Sequence, residues 1–167
     1  ALDEMKFLFK LGCDLVTGKE IGKDVPVADL LNDFDAVFIG IGLSDTRALG
    51  IPGEDLPGVM DALTFIERVK AKGGKGMPKS LCTVVIGGGN TAIDGATQSV
   101  RTGAGKVVLA YRRGPEDLSA YAFELEHARK DGVQIITNSV PKKILGKKKV
   151  EGIEFADKTV ITCDRII

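Results

Sequence analysis

The sequence predicts an α/β fold built on a parallel sheet. Between residues 81 and 137, short β-branched apolar runs alternate with segments of helical periodicity, which is the pattern of β-α-β units. After residue 137, short strands separated by turn residues predict a small antiparallel β appendage. Because 44% of the 167 residues are hydrophobic, the chain can bury a core of this size.

The central element is a strand over residues 83–86 that runs into a glycine-rich turn and a helix. Gly87, Gly89 and Ala92 fit the spacing G-x-G-x-x-G/A, which is typical of a Rossmann-like dinucleotide-binding unit. In that motif the first glycine allows a tight turn, the second admits a pyrophosphate, and the small third residue lets the helix pack on the strand. We expect Asn90 or Thr91 to N-cap the helix, whose free N–H groups would face the phosphates. The predicted cofactor-binding residues of the turn are Gly87, Gly88, Gly89, Asn90, Thr91 and Ala92.

Two alternatives stay open for this turn. It could join a strand to a helix without binding a ligand, or it could be the glycine-rich loop of a methyltransferase. A methyltransferase usually has an acidic residue at the end of its second strand. Here the second strand, residues 107–110, is followed by Tyr111, Arg112 and Arg113.

Arg112 and Arg113 predict which dinucleotide binds. An NAD site normally has Asp or Glu about 20 residues after the glycines, where it binds the ribose 2′-hydroxyl. In this chain the corresponding place, about 25 residues after Gly87, has two arginines. A guanidinium binds a phosphate bidentately, whereas a carboxylate would repel it. We therefore predict NADPH binding with both arginines at the 2′-phosphate, the alternative being a solvated basic turn.

Short elements are predicted for the N-terminal part of the chain, up to Gly42. A helix ends near residue 12, and a helical turn covers residues 27–31. Gly40 and Gly42 form either a second place where backbone approaches a ligand or a plain turn. The predicted strands cover residues 14–17, 20–24 and 35–39, and the last of them is expected to be buried.

Residues 49–59 are predicted to be an irregular connector, because the segment contains two prolines and three glycines. Asp61 is expected to N-cap a helix with Leu63, Ile66 and Val69 on its apolar face. Residues 72–76 end this helix, either as a solvated basic loop or as a phosphate contact.

A loop over residues 114–118 and a helix over residues 119–130 follow the second strand. His127, the only histidine, is expected to be exposed on this helix and not catalytic. Lys147, Lys148 and Lys149 are interpreted as a solvated hairpin tip. The remaining predicted strands cover residues 133–137, 142–145, 150–155 and 159–162.

Composition excludes several classes of function. The 23 basic and 23 acidic side chains cancel, so nothing indicates a nucleic-acid or membrane surface. Cys13, Cys82 and Cys163 lie far apart without a Cys-x-x-Cys pair, which argues against a metal site, a cluster or a dithiol redox centre. We expect all three to be reduced and buried, as in a cytoplasmic protein. Neither a catalytic side chain nor a metal ligand is predicted. The chain begins in an apparent helix and ends in an apolar strand, so we expect it to be part of a longer protein.

The combined motifs resemble those of one flavoprotein group. VVIGGGNTAI at residues 84–93 and AYRR at residues 110–113 are similar to the NADPH domain of glutamate synthase small subunits. Dihydropyrimidine dehydrogenase and NADH-dependent ferredoxin:NADP oxidoreductase share these motifs. The resemblance extends to FDAVFIGIG at 34–42, GIPGEDLPGV at 50–59 and the segment 119–133. The chain departs from the group after Arg113, where it lacks a further arginine and a Met-Pro pair.

The resemblance implies an NADPH-binding domain inserted into an FAD domain. Residues 1–56 would then be a partial FAD-domain segment and connector, residues 57–158 the NADPH domain, and residues 159–167 the start of a strand returning to the FAD domain. FAD, iron–sulfur clusters and a larger catalytic partner would belong to the full-length cytoplasmic enzyme. The chain alone is expected to transfer no hydride. The alternatives are the electron-input domain of a dihydropyrimidine dehydrogenase or ferredoxin:NADP oxidoreductase, and a non-catalytic NADP(H)-sensing module.

Overall fold

The chain forms two compact units, residues 1–43 and 44–167. The computed structural model describes residues 2–42, 46–71, 73 and 77–167. Most of the predicted 72–76 loop lies outside the described residues. The predicted segments 1–56, 57–158 and 159–167 stay a prediction about a larger protein.

The first unit contains two helices, α1 (Leu2–Lys10) and α2 (Val27–Asp33). Both were expected, but the three strands predicted here are wrong. Residues 20–24 form a turn with an isolated bridge between Ile21 and Val25, and residues 14–17 and 35–39 are irregular. A strand needs a neighbouring strand to receive its hydrogen bonds, and residues 2–42 supply none. The predicted burial of 35–39 is also wrong, because Phe38 is 94% exposed.

The second unit contains a four-stranded parallel sheet and a three-stranded antiparallel sheet, which confirms the predicted fold class. The parallel sheet has the order β3-β2-β1-β7, and the antiparallel sheet has the order β4-β5-β6. The helices of this unit are α3 (Ala62–Ala71), α4 (Asn90–Arg101) and α5 (Ala122–Lys130), and the strands are β1 (Cys82–Ile86), β2 (Lys106–Ala110), β3 (Gln134–Ile136), β4 (Pro141–Leu145), β5 (Gly152–Phe155), β6 (Val160–Thr162) and β7 (Arg165–Ile166).

The parallel sheet is buried on both faces. Val85 and Leu109 belong to a core formed with the three helices, whereas Val84 and Val108 belong to a core formed with the antiparallel sheet. This burial explains why β1 and β2 are continuous apolar runs and not alternating ones. The carboxyl ends of β1, β2 and β3 therefore lie along one edge of a layer covered on both sides.

The connector over residues 49–59 has no helix or strand, as predicted, but it is firmly attached. The carbonyl oxygen of Pro52 accepts a hydrogen bond from Ile144 N at 2.8 Å, and that of Pro57 accepts one from Val150 N at 2.9 Å. Gly53 has φ 86°, and a Cβ there would lie 2.5 Å from the Ile144 carbonyl oxygen. This turn can therefore hold no larger residue at position 53.

Asp61 caps α3 as predicted, because its Oδ1 accepts a hydrogen bond from Thr64 N at 2.9 Å. Val69 is buried on that helix, but the fully buried residue is Phe65, which the sequence analysis did not place on the apolar face. No helix in the described part of the chain is long and apolar enough to span a membrane.

Candidate functional site

The turn between β1 and α4 is built from close contacts that only small residues allow. Gly87 has φ 149°, and a Cβ on it would lie 2.9 Å from the Cβ of Ala92. A Cβ on Gly88 would lie 2.5 Å from two carbon atoms of the Tyr111 ring. Gly87 and Gly88 therefore allow the strand, the helix and the Tyr111 ring to meet at one point.

Gly89 differs from these two glycines because its open side faces little protein. A Cβ there would have one neighbour within 4 Å, the Ser119 hydroxyl oxygen at 3.5 Å. Packing within the chain thus explains the first two glycines but not the third. A bound pyrophosphate that must approach the backbone would explain it.

The N-cap of α4 is Gly89, so the expectation that Asn90 or Thr91 caps the helix is wrong. The Gly89 carbonyl accepts the amides of Ala92 and Ile93 at 3.0 and 3.2 Å. Asn90 is the first helical residue, and its side-chain oxygen accepts a hydrogen bond from Tyr121 N at 3.1 Å. Within the described ranges, the amides of residues 88–91 donate to no backbone acceptor. These four N–H groups form the anion-binding end that a helix of this type offers.

Two clefts adjoin the turn. The larger, of about 540 Å³, is lined by Gly87, Gly88, Gly89, Thr91 and Ala92 together with residues 46–49 and 59–62. Its carboxylates are already bound within the protein: Glu54 accepts the amides of Leu49 and Gly50, and Asp61 caps α3. The smaller cleft, of about 400 Å³, has Arg47 and Arg112 but no carboxylate among the described residues that line it. The smaller cleft therefore suits the more anionic end of a ligand.

Arg112 and Arg113 come after β2, separated from it by Tyr111, and β2 pairs with both β1 and β3. Both are exposed, and neither forms a salt bridge with the described acidic residues. Arg112 lines the smaller cleft beside Gly87 and Tyr111. Arg113 lines neither cleft, so of the two guanidinium groups the structure places only that of Arg112 in a cleft beside the turn, where a phosphate could reach it.

The segment between β2 and α5 returns to the glycine turn. Ser119 N and Ala120 N donate to Gly88 O at 3.0 and 3.1 Å, which holds these residues in a non-helical conformation. This is why α5 begins at Ala122 and not at Ser119, as predicted. In the first turn of α5, Glu124 Oε2 is buried and has no hydrogen-bond partner among the described residues, but Glu124 lines neither cleft.

Sequence reasoning missed Arg47, Tyr111 and Ser119, which the structure places beside the glycine turn. Arg47 precedes the connector and has no motif around it, so only the tertiary fold brings it to the clefts. Tyr111 had a usable signal, because an aromatic residue between a buried strand and two arginines needs a packing partner.

The other titratable groups do not converge on the turn. His127 is exposed on α5, as expected, with its ring edge-on to Phe123. Burial raises the pKa of Cys82 and raises that of Cys163 to about 12, so both stay protonated thiols at neutral pH. Cys13 is exposed, contrary to the expectation that all three cysteines are buried. Among the described residues, no three His, Cys, Asp or Glu side chains form a group suited to a metal ion.

Residues 10–167 match the family described as pyridine nucleotide-disulphide oxidoreductase. The chain belongs to this family. It is 35% identical over 160 residues to the glutamate synthase [NADPH] small chain of Halomonas elongata, covering 87% of this chain and 32% of that protein. The corresponding Escherichia coli protein is 37% identical over 156 residues, with 87% and 33% covered. The chain therefore spans about a third of the length of these curated relatives.

A solved structure, Mycobacterium tuberculosis FprA in complex with NADPH, has the same fold. The TM-score is 0.67 at 20% identity, with 88% of this chain and 52% of that chain covered. Thioredoxin reductase from T. acidophilum has a TM-score of 0.57 at 20% identity and covers 72% of this chain. At these identities the likeness concerns the fold and not the activity.

The residues of the turn fit a dinucleotide phosphate in three respects. The amides of residues 88–91 are unpaired in the backbone, Gly89 leaves open space, and Arg112 has no anionic partner in the described chain. The family implies FAD as well, but the chain has only one G-x-G-x-x-G/A turn, and we assign none of its described residues to flavin.

Proposed function

We propose that this chain is the NADPH-binding portion of a flavin-dependent oxidoreductase of the glutamate synthase small-chain type. The observation that carries the proposal is the glycine turn, where the amides of residues 88–91 meet no backbone acceptor in the described chain and Gly89 has an open side, with Arg112 in the adjoining cleft. NADPH supplies a hydride, and in the full-length protein the acceptor would be FAD.

The proposed roles of the side chains follow from their positions. The amides of residues 88–91 would bind the pyrophosphate, and Gly87 with Ala92 would keep α4 close enough to β1 for these amides to reach it. Arg112 and Arg113 would bind the 2′-phosphate. The charge of the two clefts supports this orientation, since the charged residues described in the lining of the smaller cleft, Arg47 and Arg112, are both cations.

The rest of the electron path would lie in other parts of the full-length protein and in its partner. Iron–sulfur clusters and a larger partner that makes glutamate from glutamine and 2-oxoglutarate would belong to the full-length assembly, which we propose to be cytoplasmic. The similarity to glutamate synthase small chains favours glutamate synthesis over pyrimidine reduction as the reaction of the full-length assembly.

The test is a titration of the purified chain with NADPH and NADH by calorimetry. We expect NADPH to bind about ten- to a hundredfold more tightly, because a charge-assisted hydrogen bond contributes about 1.5–3 kcal/mol and each 1.4 kcal/mol is about tenfold. The chain should contain no stoichiometric flavin and reduce no acceptor. Equal affinities would remove the NADP assignment, and a flavin spectrum would show that FAD binds to this segment.

A further inference from the structure

The segment that bears Arg112 and Arg113 is attached to the glycine turn by contacts that involve neither arginine. Two of them are the bonds from Ser119 N and Ala120 N to Gly88 O. The others are a long bond from Ser119 Oγ to Gly88 O, at 3.5 Å, and the bond from Tyr121 N to Asn90 Oδ1, at 3.1 Å. Among these acceptors, Asn90 Oδ1 is the only side-chain atom, so it can be removed without altering the backbone.

Tyr111 holds the start of the segment 111–121 in place. Its ring packs on Gly88, and its hydroxyl donates to Asp117 O at 2.9 Å. From the opposite side, Asn138 N donates to Arg113 O at 2.8 Å. The arginines therefore stand on a loop that is held at its start by Asn138 and Tyr111 and at its end by Gly88 O and the Asn90 side chain.

We propose that Asn90 is a positioning residue that sets the preference for nucleotides with a 2′-phosphate. It would do so by holding residues 111–121, and with them Arg112 and Arg113, at a fixed place relative to the glycine turn. The inference rests on the proposed function and assigns to Asn90 a role that its backbone position at the start of α4 does not supply.

The physical reason is the cost of ordering a loop on binding. When the loop is already ordered by Asn90, a 2′-phosphate meets guanidinium groups that are in place. Without this bond, a ligand with a 2′-phosphate must order the loop as it binds, and its affinity falls. A ligand without a 2′-phosphate uses only the turn, so its affinity should hardly change.

The experiment compares two probes, 2′,5′-ADP and 5′-AMP, which share the 5′-phosphate and differ in the 2′-phosphate. Asn90→Ala should weaken 2′,5′-ADP about three- to tenfold, the value of one hydrogen bond, and 5′-AMP less than about twofold. Gln98→Ala is the matched control, because it removes a side-chain amide from the same helix two turns further along and should alter neither affinity. Circular dichroism checks that each variant is folded.

Two further measurements separate positioning from a general loss of structure. In the background Arg112→Ala/Arg113→Ala, Asn90→Ala should have no selective effect, since there is no arginine left to place. Asn90→Asp, which keeps an oxygen acceptor for Tyr121 N, should retain the ratio of the two affinities while weakening both through its charge. Without any ligand, hydrogen exchange at the Tyr121 amide should be faster in Asn90→Ala and unchanged in Gln98→Ala.

The outcomes are distinguishable. An equal loss for both probes, or a selective loss that persists without the arginines, would overturn the role of Asn90 and leave the proposed function standing. Unchanged exchange at Tyr121 would also overturn it. If the unaltered chain bound neither NADPH nor 2′,5′-ADP, the proposed function itself would fail, and the inference with it.

Discussion

Two segments of this chain have nearly the same local pattern and very different structures. Residues 35–42 and residues 82–89 both consist of an apolar run of about five residues followed by glycines. The second run is β1, in which Val84 and Val85 are fully buried. The first run is irregular, with Phe38 94% and Ile39 73% exposed.

The difference shows that an apolar run forms a parallel strand only where neighbouring strands are present to share its backbone hydrogen bonds. β1 pairs with β2 on one side and with β7 on the other, and both faces of the sheet are covered. In residues 2–42, the described chain offers no strand for 35–39 to join. Local periodicity alone could not separate these cases, because the information lies in residues far along the chain.

The largest difference between the two glycine segments should be in ligand binding. Gly89→Val should reduce NADPH affinity by roughly a hundredfold or more, because the side chain would occupy the space next to the unpaired amides, while the fold is retained. Gly40→Val is the control in the other segment and should leave the affinity unchanged. Calorimetry checks both, and a Gly89→Val chain that binds NADPH normally would place the phosphates elsewhere.

Arg112 and Arg113, which follow β2, should affect only the binding of nucleotides that have a 2′-phosphate. Changing Arg112 and Arg113 together to Ala should weaken NADPH about ten- to a hundredfold and leave NADH nearly unchanged, since only NADPH has a 2′-phosphate. Lys147→Ala/Lys148→Ala removes two exposed cations elsewhere and controls for net charge. Parallel loss of NADPH and NADH would mean that the arginines support the fold or the pyrophosphate.

Burial in the two runs can be compared by a matched pair of substitutions. Val84→Ala should lower the free energy of unfolding by about 2 kcal/mol, because it removes two methyl groups from a fully buried position. Val37→Ala, at a position that is 39% exposed, should lower it by less than about 0.5 kcal/mol. Urea denaturation gives both values, and similar losses would show that residues 35–39 are buried in solution.

The smallest effect concerns the residue that anchors the start of β1. Burial alone would raise the pKa of Asp164, but hydrogen bonds from Ser80 Oγ and from the amides of Leu81 and Cys82 outweigh it and lower the pKa below its usual 3.8. Its contribution to stability is therefore complete above about pH 4 and is lost as the pH falls through the folded-state pKa.

Asp164→Asn should remove part of this acid sensitivity while lowering stability at pH 7. Thermal unfolding between pH 3 and pH 7 measures it, with Asp94→Asn, an exposed carboxylate on α4, as the control. If the two variants had the same pH profile, the hydrogen bonds around Asp164 would not contribute to acid stability.

Sequence reasoning succeeded where local chemistry decides the structure. The order of elements from β1 to β6 was predicted because glycines, apolar runs and turn residues mark each boundary, and the Asp61 cap followed from its position before an apolar helix face. It failed where distant contacts decide. The start of α5 depends on the hydrogen bonds that Gly88 O accepts from Ser119 N and Ala120 N. The Asn90 side chain does not cap α4 because it accepts a hydrogen bond from Tyr121 N. No local signal predicts that Arg47 lines the clefts. The roles of the turn residues, Arg112 and Arg113 stay predictions.

The pairing of β1 with β7 has a consequence for the order of folding. β2 can pair with β1 early and β3 can then pair with β2, but the other edge of β1, at Thr83, is completed only when Arg165 of β7 is available. During synthesis, the hydrogen-bonding groups on that edge of β1 remain open until β7 has left the ribosome, and an open apolar edge favours pairing with other chains. We therefore expect the nascent chain to be most prone to aggregation after β3 has emerged and before β7 has.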